Sequence, residues 1–168
     1  MNQNLIRIPL SFLIYMALQL LIFRRIVLFD TAFCMAYIGF ILFLPMEIST
    51  MVLMLAGFSF GLTLDMFQNS PGLHAGATVL VAFIRNSWLS LITPQGGYDT
   101  SGVVSIRQYG ITWLLTYSVP LVLVHQSTLF FSEAGGFHLL GLTSAKVFFS
   151  LLLTLVVLVF AQLLPGRR

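Results

Sequence analysis

The sequence predicts an all-α fold, a polytopic bundle of membrane-spanning helices forming one integral domain over residues 1–168. Two observations carry that expectation. Hydrophobic residues make up 58% of the 168-residue chain and charged residues only 8%, against about 25% charged in soluble chains. So few polar side chains cannot cover a globule in water. Apolar runs close to the ~20 residues that a bilayer core demands also recur along the whole chain, separated by Pro, Gly and Ser punctuation.

The runs divide into six expected spans. The first covers residues 5–23; it is long, lacks a small-x-small cleavage site and is followed by Arg24 and Arg25, so it reads as an anchor and not as a cleavable signal. The second covers residues 31–44 and stops at Pro45. Its apolar core is short, which leaves a tilted or re-entrant segment, and five spans in all, as the alternative. The third covers residues 48–67 and the fourth residues 71–92. The fifth, residues 108–131, contains Pro120, where a kink is expected. The sixth covers residues 137–164 and stops at Pro165. The longest connection, residues 93–107, is rich in Gly, Ser, Thr and Pro and reads as an exposed loop.

The net charge of +3 does not point to nucleic acid, because the basic residues stand singly or in pairs and form no patch. They read instead as interface anchors and orientation signals. With six spans, Arg7, Arg107, Arg167 and Arg168 share one side, and Arg24 and Arg25 lie on the other. That balance places both termini in the cytoplasm. The lone cysteine, Cys34, sits in an apolar run and reads as a small buried hydrophobe.

The most informative stretch is Gly57-Phe-Ser-Phe-Gly61-Leu-Thr-Leu-Asp65 followed by Pro71-Gly72-Leu-His74-Ala-Gly76. Gly57, Gly61 and Asp65 are four residues apart and share one helix face; Gly72 and Gly76 repeat the spacing. Glycines so placed let another backbone approach closely in lipid. The approaching helix is either the neighbour in the same chain or a partner's. Ser70 suits an N-cap and Pro71 the first helical position. Asp65 and His74 then fall near one membrane surface. Arg85 is about 21 Å along the helix from Pro71, too deep to meet Asp65, so Glu47 is its expected partner. His125 and Lys146 fall towards the same surface as Asp65 and His74, and the four form a possible polar cluster. Lys146 reads better as an interface anchor, because the sixth span is longer than it needs to be and can slide.

Searches for catalytic patterns return nothing: no nucleophile elbow, no His-Glu-x-x-His metal site and no phosphate loop. Neither a cofactor, a metal nor an enzymatic activity is expected.

The glycine-rich helix ending in Gly-Leu-x-x-Asp (Gly61, Leu62, Asp65), followed by a Pro-Gly-x-His helix start (Pro71, Gly72, His74), resembles the signature of the rod shape-determining MreD family. The specific likeness covers residues 57–85. It implies a non-enzymatic scaffold of the bacterial rod complex in the cytoplasmic membrane. Such a scaffold binds MreC and helps couple MreB filaments to the peptidoglycan synthases, RodA and the elongation transpeptidase, in maintaining cell shape. Gly57, Gly61, Asp65, Pro71, Gly72, His74 and Gly76 become the expected partner-binding residues. The family's fold is thought similar to substrate-binding subunits of energy-coupling-factor transporters, so a vitamin-type uptake subunit is the alternative. Against it, the first helix has Ala17 alone where those subunits carry Ala-x-x-x-Ala. A lipid-processing enzyme is a third reading, but the sequence offers only single charges where that chemistry needs clusters.

Overall fold

The computed structural model describes residues 3–98, 104–137 and 139–163, with side chains from residue 8 onward. Arg7, Arg167 and Arg168, on which part of the orientation argument rests, lie outside the described side chains. In chain order the elements are α1 (Gln3–Leu21), a 3₁₀ turn (Phe23–Arg25), β1 (Val27–Leu28), β2 (Ala32–Phe33), α2 (Ile38–Leu42), α3 (Thr50–Gln68), α4 (Leu73–Leu91), α5 (Ile106–Glu133) and α6 (Leu140–Leu163). The strands form one small antiparallel hairpin with Val27 opposite Phe33. The expected helical bundle is therefore what the chain forms.

The helices expose large apolar side chains as well as burying them. On α6, Thr143, Ser150, Thr154 and Gln162 are buried, while Phe148, Leu152, Val156 and Phe160 are exposed. A helix in water places these groups the other way round. Lipid is the solvent that makes such a surface favourable, because every polar group must then find its partner inside the protein.

Four helical segments are long and apolar enough to cross a membrane, within residues 8–25, 50–68, 106–133 and 140–163. The expected count of six is corrected at two places. Helix α4 has the length, at 19 residues, but His74, Thr78, Arg85, Asn86 and two serines dilute its hydropathy below that of its neighbours. The expected second span is not a long helix at all. Residues 31–44 contain β2, an irregular stretch and the five-residue α2, and from Cys34 to Leu44 every residue is buried. It crosses the bundle as buried, largely non-helical chain, so neither a helical span nor a re-entrant loop describes it. Arg24 reaches the Phe67 carbonyl at the end of α3, so α1 and α3 end at the same end of the bundle. The chain between them must travel back through the interior to begin α3 again at the other end.

Extended backbone inside a bundle leaves N–H and C=O groups unpaired, each costing several kcal/mol in hydrocarbon. Side chains from four surrounding helices supply the partners. Gln19 of α1 donates to the Cys34 carbonyl at 3.0 Å and accepts from the Tyr37 N–H at 3.3 Å. Ser150 and Thr154 of α6 accept from the N–H groups of Phe33 and Met35 at 2.9 and 3.1 Å. Tyr117 of α5 donates to the Leu42 carbonyl at 2.8 Å. Arg85 of α4 donates to the carbonyls of Leu42 and Leu44 and, through Nε, to the Tyr117 hydroxyl at 2.8 Å.

The break in α5 is also displaced from its expected position. Helical geometry continues through Pro120, and the non-helical residue is Gly110, at φ 82° and ψ 168°. Proline has already lost its N–H, and the surrounding turns absorb that loss; a positive φ is what glycine alone adopts without strain.

The buried arginine sets a test. Arg85→Leu strips the Leu44 carbonyl of its side-chain donor and leaves Leu42 with Tyr117 alone, a loss of about 3 kcal/mol. Cys34, 2% exposed in the same segment, is a natural reporter. Its alkylation by a membrane-permeant maleimide should accelerate markedly in Arg85→Leu and only slightly in Tyr117→Phe, where Arg85 retains both carbonyls. A Cys34 as unreactive in Arg85→Leu as in wild type would show that the clasp is dispensable.

Candidate functional site

The Gly57–Gly76 signature folds into the joint between α3 and α4. Helix α3 ends at Asn69, which takes a left-handed conformation at φ 53° and donates its N–H to the Asp65 carbonyl. Helix α4 then starts from Gly72 at φ 82°. Its first N–H groups need acceptors, and Gly72 has no side chain to offer one. Asp65 supplies it from the preceding helix. Oδ1 accepts from the His74 N–H at 3.0 Å, and Oδ2 accepts from the Ala75 N–H at 3.0 Å. Ser70 Oγ donates to Oδ1 at 3.0 Å, and the His74 ring nitrogen Nδ1 lies 2.9 Å from the same oxygen. A carboxylate at a helix N-terminus also meets the positive end of the helix dipole. The expected N-cap role of Ser70 is thus corrected. Ser70 buttresses the true capping group, and Pro71 precedes the helix, exposed in the turn.

The glycines bring the two helices together. A Cβ on Gly61 would stand 2.5 Å from the Ala75 Cα and 2.6 Å from its nitrogen. A Cβ on Gly57 would stand 3.2 Å from the Thr78 carbonyl oxygen. Thr78 fills the seam, donating within 2.8 Å of the Gly57 carbonyl. Of the two occupants that the glycine spacing allows, α4 of the same chain is the one that lies against Gly57 and Gly61. Asp65 and His74 are likewise buried in the joint and not at an exposed rim. Pro71, Gly72 and Gly76 remain exposed, and a Cβ on Gly76 meets nothing within 4 Å.

The expected Glu47–Arg85 pair does not form. Glu47 is exposed at the turn before α3, whereas Arg85 is fully buried. The one ion pair among the described residues is His74–Asp65. The Leu42 and Leu44 carbonyls, the Tyr117 hydroxyl and, at 3.5 Å, the Asn86 side-chain oxygen accept from the guanidinium and satisfy it without an anion, as hydrogen bonding of a buried cation requires. Asn86, next along α4, donates instead to the Ile48 carbonyl and Thr50 Oγ1, both at 3.0 Å, and fixes the start of α3.

The anticipated cluster of Asp65, His74, His125 and Lys146 is partly assembled. Tyr37, unnoticed in the sequence, joins it from the buried crossing segment. Its hydroxyl lies 2.9 Å from His125 Nε2, and its ring centre 5.8 Å from that of His74. Lys146 stands apart, its ammonium 5.6 Å from the centre of the Phe33 ring. Among the described residues no three His, Cys, Asp or Glu side chains converge. Gln19, Tyr117, Ser150 and Thr154 were missed as well. Single polar residues one turn apart in a very apolar run, as Ser150 and Thr154 are, were the available signal.

Scans of the chain against protein-family models, curated proteins and solved structures return no match.

The glycines can be ranked by experiment. Gly61→Ala forces the helices apart and should cost about 2 kcal/mol, with Gly57→Ala milder because its contact is longer. Gly76→Ala should be neutral or stabilising by about 0.5 kcal/mol, since it removes a flexible residue from an exposed helical position. Denaturant titration in detergent micelles checks the order; an equal response at all three sites would disprove the close contact.

Proposed function

We propose that this protein is a non-enzymatic scaffold of the bacterial cell-wall elongation machinery, acting as members of the MreD family do. The observation that supports the reading is the signature itself. Gly61, Asp65, Pro71, Gly72 and His74 are the residues by which the chain resembles that family, and they form one compact joint. A joint of that kind fixes the relation of two helices and presents its exposed turn, Pro71 and Gly72, to whatever lies beside it. On this reading the glycines and Asp65 act indirectly, by holding the surface that a partner meets. MreC, a single-span protein, is the proposed partner; MreB, RodA and the elongation transpeptidase are reached through it. The cytoplasmic membrane, with both termini on the cytoplasmic face, is the proposed location.

Five of the buried polar residues favour a scaffold over a carrier; Trp88 Nε1, Ser118 Oγ, His125 Nδ1 and Gln126 Oε1 are buried without a hydrogen-bond partner. Arg85, Gln19, Tyr117, Ser150 and Thr154 are hydrogen-bonded to the chain's own backbone or to one another. The transporter reading needs polar groups turned towards a substrate, as an Arg85–Glu47 pair lining a cavity would be. That pair is absent among the described residues.

The test uses the surface and leaves the joint intact. Affinity capture from detergent-solubilised membranes should recover MreC with the wild-type protein and far less with Gly76→Trp, which adds bulk at an open position. Cells lacking the protein should turn from rods to spheres. Recovery of an ATPase and a coupling subunit in place of MreC, with rods unchanged, would overturn the scaffold reading in favour of the transporter.

A further inference from the structure

The β-hairpin does not lie flat on the bundle. Leu28, Phe29, Thr31 and Ala32 form one wall of a lateral groove, and Phe149, Leu152, Leu153 and Val156 of α6 form the other. Its volume is about 500 Å³, within the roughly 300–1,000 Å³ of sites that bury small ligands. Thr31 supplies the one polar side chain in the lining. From Phe149 to Val156 the groove runs about 10 Å along α6.

Two observations say what occupies it. The first is the hairpin tip. Phe29 is 95% exposed and sits at φ 54°, with Asp30 at 52°. A bulky residue in the left-handed region is uncommon and unfavourable. Here the strain turns the chain back so that Leu28 and Phe29 stand over the α6 wall. The second is charge. Lys146 precedes Phe149 by three residues and Leu153 by seven, which places it on the same helix face, about one turn above the groove. It is half-buried, and the Phe33 ring is its contact; among the described residues no carboxylate pairs with it. Arg24 and Arg25 lead into β1 at the bundle end where α6 begins. Asp30 lies in the turn, away from the Val27–Phe33 base of the hairpin over which Lys146 sits.

An apolar trough open to the side, with a cation one helical turn above it, matches an amphiphile with an anionic head. We infer that the groove between the hairpin and α6 binds one acyl chain of an anionic phospholipid, with Lys146 holding its phosphate. The chain fills the trough beneath Phe29, and the ammonium replaces its weak π contact with a charge-assisted bond. The inference is independent of the scaffold reading.

Native mass spectrometry of the full chain in a mild detergent tests it, with phosphatidylglycerol and phosphatidylcholine of identical acyl chains added in parallel. Wild type should retain one phosphatidylglycerol and hold it more tightly than phosphatidylcholine. Lys146→Gln should weaken phosphatidylglycerol by about fivefold, as expected for one basic residue near an anionic head, and leave phosphatidylcholine unchanged. Val156→Trp, at an exposed groove position, should displace both lipids, and an unaltered unfolding temperature will show that the fold is retained. Equal retention of the two lipids by wild type, or an unchanged phosphatidylglycerol preference in Lys146→Gln, overturns the assignment. Unchanged retention of both lipids in a folded Val156→Trp also overturns it.

Discussion

A membrane protein cannot leave backbone amides unpaired, and this one carries a largely non-helical stretch through the middle of its bundle. Residues 32–44 connect the hairpin to α3 with only the five-residue α2 to satisfy them locally. The rest of the interior is arranged around that demand. Gln19, Arg85, Tyr117, Ser150 and Thr154 come from α1, α4, α5 and α6, and each directs a donor or acceptor at this backbone. Their positions fix how those four helices stand about the segment. In hydrocarbon the alternative is an unsatisfied polar group, so the arrangement is enforced from several sides at once.

The α3–α4 joint solves a related problem by other means. Arg85 can reach Leu42 and Leu44 only if α4 is held in a fixed relation to the start of α3. Gly57 and Gly61 allow the backbones to meet, Thr78 closes the seam, and Asp65 caps α4 from outside it. Asn86 ties the other end. The family-like signature and the buried arginine thus serve one purpose at opposite ends of α4. Asp65 and Arg85 are both fully engaged with the chain's own groups, which is why partner binding is proposed for the exposed surface.

The bundle was legible from the sequence because burial in lipid is mainly a matter of composition and run length; α3, expected at residues 48–67, occupies Thr50–Gln68. What hydropathy does not carry is conformation. Residues 31–44 are as apolar as a span, yet Gly39 packs against Tyr15 and Leu158 inside the bundle and the chain there is mostly not helical. Electrostatic intuition misplaced Arg85. An opposite charge was sought in Glu47, whereas carbonyls exposed by irregular backbone were the acceptors, and they are invisible until the fold is known. The glycine spacing announced a close approach but not which helix approaches. Asp65 was legible as significant, but its partners are nine and ten residues on, across a turn whose geometry the sequence does not give.

The central claim is that residues 32–44 form a locked part of the interior and not a surface loop. Hydrogen–deuterium exchange of the protein in lipid nanodiscs tests it most directly, read at the amides of Phe33, Met35 and Tyr37, the three donors held by Ser150, Thr154 and Gln19. The account predicts protection comparable to the centre of α3, with Met35 released selectively in Thr154→Val, which keeps the shape and removes the hydroxyl. Rapid exchange of all three amides in the wild-type protein would contradict it.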